Sequence, residues 1–217
     1  MDDLKTTRWF YHEWDTGKRE TLNASRLLQI TRRSKPHEPS VEGYKLHADQ
    51  SYIATRILFL ASTATHHCAL YMAAQTIEKY LKSLLMARGQ DVSRFGHKLV
   101  ELAREAGAPF DDEEFVRLCG DLGPFEIAGR YADGHDYVGW QYRIDLLSVL
   151  DRFVLMCRQV LIQESPDVLR SRDPIMEVAT QDGVTNPLMA AAQQALVHHN
   201  RAVIDILRHG SLTPRNL

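Results

Sequence analysis

"YMAAQTIEKYLKSLLMARG", residues 71 to 89, is the stretch on which the fold turns. Together with Ala69 just ahead of it, Met72, Ala73, Ile77, Tyr80, Leu81, Leu84 and Leu85 recur at the three-and-four spacing of one helix face. Glu78 and Lys82 stand four apart in the favourable order, which predicts an ion pair on the opposite, wet face. Gly89 follows at once, where a left-handed residue closes a helix. The stretch reads as a long amphipathic helix with one buried stripe.

The neighbouring segments repeat this rhythm, and convincing strand alternation is nowhere found. "HADQSYIATRILFLAST", residues 47 to 63, carries Ala48, Tyr52, Thr55, Leu58 or Phe59, and Ser62 on one face. A join near His66 makes it the antiparallel partner of the first helix. "HKLVELAREAG", residues 97 to 107, is a short helix ending at Gly107. In "FDDEEF", residues 110 to 115, Asp111 can cap a helix, Glu114 holds the capping-box position, and Phe110 with Phe115 has staple spacing. A later helix bears Leu146 or Leu147, Leu150, Val154, Cys157 and Leu161, and stops near Ser165 and Pro166.

These helices occupy residues 41–165, and both flanks read as additions. Residues 1–40 form an N-terminal arm whose end, "TRRSKPHEPS", has the composition of a linker. Residues 166–217 form a C-terminal extension. In it Asn186 and Pro187 open an alanine-rich amphipathic helix over 187–208, with Leu188, Ala192, Leu196, Val203 and Leu207 on one face. That face must cover the bundle or a second subunit. The expected fold is all-α, an up-and-down bundle of four to five helices.

With 26 basic and 28 acidic side chains among 217 residues, the net charge of −2 excludes a globally basic nucleic-acid binder but not a local patch. The stretch "GKRETLNASRLLQITRRSK", residues 17 to 35, is such a patch, open to either phosphate contact or plain solvation. No run of eighteen apolar residues and no signal-peptide pattern occurs, so a soluble, cytoplasmic protein without membrane contact is expected. Cys68, Cys119 and Cys157 each lie in an apolar context without Cys-x-x-Cys spacing, as reduced buried thiols do. The doublets His66-His67 and His198-His199 do not chelate from one helix face, because neighbours diverge by about 100°. No metal or cofactor is expected.

The order of these motifs resembles the HEPN domain (higher eukaryotes and prokaryotes nucleotide-binding). The resemblance rests on Ala73, Ala74, Gln75, Glu78, Lys79, Leu81, Lys82, Leu84, Leu85 and Gly89, then His97, Leu99 and Leu102, then Arg130 with Tyr131. It covers roughly residues 41–165. Lys98 stands where the family often has Asp, and Ala132 where it often has Pro. The resemblance implies a helical bundle that is commonly a homodimer. Nucleotidyltransferases, or nucleic-acid defence and toxin–antitoxin systems, are its usual company. One branch of the family consists of metal-independent ribonucleases with an Arg-x(4–6)-His pair. Another is inactive and binds a nucleotide or a partner protein.

Within "GRYADGHDY", residues 129 to 137, Arg130 and His135 satisfy that ribonuclease spacing. Histidine moves protons near neutral pH, and arginine offers a fixed fork of donors to a phosphate gaining charge. The alternative is a turn: residues five apart on a helix diverge by about 140°, Gly134 disfavours helix, and Tyr131 replaces the usual small polar residue. Glu78, Lys79, His97 and Tyr131 are the candidate ligand-binding residues, with solvated charges and a structural histidine as the plainer account. Two functions follow. The first is a module that binds a nucleotide, RNA or a nucleotidyltransferase or antitoxin partner. The second is an endoribonuclease in which His135 transfers protons and Arg130 holds the phosphate.

Overall fold

The computed structural model describes residues 8–12, 19–23, 39–128, 144–169, 173–181, 187–201 and 203–204. The chain divides into two compact units, Met1–Pro39 and Ser40–Leu217. The first holds an antiparallel hairpin of β1 (Arg8–His12) and β2 (Arg19–Asn23), with Phe10 opposite Thr21. The hairpin lies within the expected N-terminal arm, where the sequence showed no convincing strand alternation. The aromatic run Trp9, Phe10 and Tyr11 has the pleat-filling side chains that strands favour, but five residues are too few for periodicity to register.

The second unit is an all-α bundle. Its helices are α1 (Val41–Ala61), α2 (His66–Ala87), α3 (Leu99–Ala106), α4 (Glu113–Ala128), α5 (Ile144–Glu164), α6 (Pro174–Thr180) and α7 (Pro187–Val197). Ser40 opens α1, its Oγ accepting from the Gly43 N–H at 3.0 Å. A single 3₁₀ turn, Thr63–Thr65, reverses the chain into α2. The Ser83 hydroxyl then donates to the Val41 carbonyl at 2.8 Å, fixing the two helices antiparallel along their length.

Helix α2 is the hub and packs against α1, α3, α4 and α5. Ala69, Ala73, Ile77, Tyr80, Leu81, Leu84 and Leu85 are all fully buried, and Met72, the remaining member of the expected stripe, is half-buried. At its end the Gln90 N–H reaches back to the Leu85 carbonyl at 2.9 Å, and Gly89 sits at φ 74°. Gly107, at φ 65°, ends α3 with its N–H reaching back to the Ala103 and Arg104 carbonyls at 3.2 and 3.1 Å. Helix α4 begins one residue later than the sequence implies: Asp112, not Asp111, accepts the Glu114 N–H, at 2.9 Å. Phe110 and Phe115 both close edge-on upon Phe153 of α5, at 5.7 and 5.6 Å, so the staple pair is anchored by a third ring.

Helices α6 and α7 pack on each other and on α1, so the C-terminal extension joins the bundle's own core. The expected continuous helix over 187–208 is interrupted. Helix α7 ends at Val197, and His199 turns at φ 51°. Asn200 then caps a new helical turn by accepting the Val203 N–H at 3.1 Å. Leu196 and Val203, predicted on the covering face, are both buried.

Cys119 and Cys157 are buried, and burial pushes the Cys119 thiol up to about 12. Cys68 departs from the expectation. It lies in the first turn of α2 and is exposed.

Candidate functional site

Three of the residues predicted to bind a ligand meet at one corner of the bundle. Glu78 is on α2, and His97 arrives from the loop between α2 and α3, where the 3₁₀ turn Ser93–Phe95 and Gly96 bring the chain back over the helix. His97 Nδ1 lies 2.8 Å from Glu78 Oε2. Lys82 Nζ and Lys79 Nζ donate to Glu78 Oε1 at 2.7 and 3.0 Å. Glu78 is not on the wet face: its exposure is 0%. Periodicity placed it outside because α2 alone would leave it there, and the incoming loop covers it. A fully buried carboxylate is tolerated because two ammonium groups and an imidazole surround it.

The corner keeps an open rim. The His97 side chain is 41% exposed and that of Lys79 is 20% exposed. Lys79 Nζ also stands 5.7 Å from the centre of the half-buried Tyr44 ring on α1. One carboxylate thus faces two lysines and a histidine, beside an aromatic ring. Arg130, Tyr131 and His135 lie outside the described residues, between α4 and α5.

Deeper in the unit stand two tyrosine–aspartate–arginine constellations that the sequence reading did not single out. In the first, Asp151 of α5 accepts from the Tyr52 hydroxyl at 2.6 Å and from Arg56 Nη1 at 2.6 and 2.8 Å. Arg56 also donates from Nε to the Ala195 carbonyl at 2.9 Å and from Nη2 to that of His198. Asn200 Nδ2 completes the set on Tyr52 Oη at 2.6 Å. Burial raises the Asp151 carboxyl above its ordinary range, outweighing Arg56 and Tyr52, which lower it. Burial and the nearby Asp151 likewise raise the Tyr52 phenol.

In the second, Asp49 of α1 accepts from the Tyr80 hydroxyl and from Arg158 Nη1 at 3.0 Å, and forms an ion pair with Lys45 Nζ at 2.9 Å. Arg158 reaches on to Asp173, the N-cap of α6. Burial would lower the Arg158 guanidinium, but Tyr80, Asp49 and Asp173 outweigh it and hold it above its usual value. For Asp173, burial acts upward, and Arg158 and Lys45 prevail to hold it below the ordinary carboxylate range. Both arginines reach on to the C-terminal segment, Arg56 to the Ala195 and His198 carbonyls and Arg158 to Asp173, so both constellations work as latches between the bundle and that segment. The available signal was polar: Asp49, Tyr52 and Arg56 fall on the stripe of α1 that also carries Ala48.

Among the described residues, no group of three His, Cys, Asp or Glu side chains is placed to hold a metal ion. His66 stacks on Phe59 at 4.6 Å, and His67 leans on Phe125 at 5.7 Å. No helix of the described residues is long and apolar enough to cross a membrane.

No curated protein and no solved structure matches the chain. The sequence profile of the HEPN domain does match, over residues 41–159, running from the first turn of α1 to within α5 and enclosing the Glu78 corner. With more than half its length so matched, the chain belongs to the HEPN domain family.

Proposed function

We propose that this chain is a non-catalytic HEPN module that binds the phosphate backbone of RNA, or a nucleotide, at the Glu78 corner. The observation that carries the reading is the meeting of Lys79, Lys82 and His97 on one buried carboxylate, with Tyr44 alongside. Such a corner has surplus positive charge at its rim. An aromatic face next to a lysine suits a base stacked beside its own phosphate. Glu78 fixes the three donors in place, so they are ordered before the ligand arrives.

The test is anisotropy of a labelled single-stranded RNA titrated with protein in chelator. Lys79→Ala and Tyr44→Ala should each weaken binding, and Lys79→Ala should reduce the salt slope by about one. Unchanged affinity in both variants removes the corner as the site. A homodimer, and a nucleotidyltransferase or antitoxin chain as partner, belong to the same reading through the family.

The Arg-x4-His spacing of Arg130 and His135 favours a second reading, a metal-independent endoribonuclease in which His135 moves protons and Arg130 holds the phosphate. Tyr131 would then flank the bound RNA. Structured RNA incubated in chelator with wild type and His135→Ala decides it: equal cleavage by both, or none by either, removes the enzyme.

A further inference from the structure

The Asp49 carboxylate stands where four helices meet. It belongs to α1, receives the Tyr80 hydroxyl of α2 and Arg158 Nη1 of α5, and through Arg158 is joined to Asp173, the N-cap of α6. Lys45, one turn earlier on α1, pairs with the same carboxylate at 2.9 Å. Its charge is also felt at Asp173, whose carboxyl it helps to hold down. The junction thus sets two cations, Lys45 and Arg158, against two anions, Asp49 and Asp173. The side chains of Lys45 and Asp49 have no exposed surface and that of Arg158 only 3%. Charge so deeply buried is tolerated when it is balanced. The balance depends on Asp173, which lies beyond the family-matched residues 41–159.

Two members of this junction are chain neighbours of two members of the Glu78 corner. Lys45 follows Tyr44 on α1, and Tyr80 follows Lys79 on α2. Tyr44 and Lys79 meet across the seam between those helices, with Nζ 5.7 Å from the ring centre. The seam is tied there by the Ser83 hydroxyl on the Val41 carbonyl at 2.8 Å and by the Tyr80 hydroxyl on Asp49. Loss of the Asp173 charge would leave Lys45 and Arg158 sharing one carboxylate. Their repulsion, strong away from water, pushes Lys45 outward, and the first turns of α1 carry Tyr44 with it. The other latch, of Tyr52, Arg56, Asp151 and Asn200, has no chain neighbour in the corner.

We infer that Asp173 is a positioning residue for the Glu78 corner, holding Tyr44 beside Lys79 through Arg158, Asp49 and Lys45, a role that rests on the corner being the binding site. A segment outside the family domain thereby controls a site within it. With α6 seated the corner is formed, and with α6 withdrawn it is not. Such coupling is reciprocal, so a ligand at the corner also tightens α6 on the bundle.

Four full-length proteins test this: wild type, Asp173→Asn, Asp173→Asn/Lys45→Met and Asn200→Ala. Asparagine keeps the cap of α6 and removes only charge. Lys45→Met then removes the surplus cation, while Asn200→Ala loosens the other latch and leaves the junction's charges alone. One readout is affinity for a labelled single-stranded RNA. The other is the rate at which acetic anhydride acetylates Lys79, relative to Lys98, whose side chain is 64% exposed. Asp173→Asn should weaken RNA binding by about fivefold or more and raise the Lys79 rate by about threefold or more. The double variant should return both toward wild type, whereas two merely destabilising changes would add. Asn200→Ala should leave both unchanged. An unchanged Lys79 rate in Asp173→Asn overturns the inference, as does a double variant worse than Asp173→Asn, or Asn200→Ala matching Asp173→Asn. So does unchanged affinity in Asp173→Asn where Lys79→Ala has lowered it. Acetylation needs no RNA and so tells the two readings apart. RNA binding indifferent to Lys79→Ala and Tyr44→Ala removes the corner as the site, while a raised Lys79 rate reversed in the double variant still upholds the positioning.

Discussion

Arg158 on α5 donates to Asp49 on α1 at 3.0 Å, and the same relationship recurs in reverse about two helical turns away, where Arg56 on α1 donates to Asp151 on α5 at 2.6 Å. Each aspartate is also held by a tyrosine hydroxyl, and each arginine reaches past it to the C-terminal segment. The two helices are thus cross-linked by a reciprocal pair of charges buried in the core. Such pairs contribute little net stability against apolar packing, yet breaking one strands a charge.

Arg56→Met should accordingly cost about 3–5 kcal/mol in urea denaturation, since Asp151 stays behind buried and unpaired. The double variant Arg56→Met/Asp151→Leu should recover most of that loss. If the double variant is as unstable as the two single losses added together, the charges are not coupled and the latch is misread.

Acid should release α6 before it unfolds the bundle. The Asp173 carboxyl is held below its ordinary value by Arg158 and Lys45, against burial. The unfolded chain therefore binds a proton that the folded one refuses, so this contribution is complete above the ordinary carboxylate range and is lost as pH falls through the depressed value. Asp173→Asn keeps the helix cap but removes the charge. The stability of wild type minus that of Asp173→Asn should shrink steadily from pH 5 to pH 2, and a flat difference would refute the assignment.

The thiols should separate cleanly. Native protein should modify rapidly at Cys68 with a thiol reagent, while Cys119 and Cys157 react only on unfolding, being buried with raised pKa values. Mass spectrometry after a short pulse should show a single adduct. Two or more would mean that the α4–α5 contact opens in the native state.

Glu78→Gln should destabilise the chain by about 1–3 kcal/mol, because the nearly buried Lys82 loses its counter-charge. Lys79→Ala, whose ammonium is nearer water, should cost under about 1 kcal/mol. Urea midpoints of the two variants measure this. Equal losses would show that Glu78 is not the centre of the corner.

Much of the bundle was legible because its signals are local. The stripe from Ala69 to Leu85, the left-handed Gly89, and the stops at Gly107 and Ser165 depend only on residues a turn or two apart. Glu78 and Lys79 could be picked out with His97 as members of a family pattern, but not the burial of Glu78. That burial depends on a loop crossing α2, and periodicity measures a helix as though nothing else touched it. The hairpin of Arg8–His12 with Arg19–Asn23 was too short for alternation to declare itself.

By itself, then, the sequence determined the principal helices between residues 41 and 165, the apolar stripe of each and to which family the order of motifs points. Folding decided where the charges go. Asp49 finds Arg158, and Arg56 finds Asp151, across roughly a hundred residues of chain, a pairing set by how α1 and α5 lie in the bundle. The same contacts end α7 at Val197 where alanine-rich sequence would have run on, because Arg56 takes the carbonyls of Ala195 and His198, and Asn200 starts the chain on a new turn. Helical rhythm is a property of neighbours, whereas the partner of a buried charge is a property of the whole packed chain.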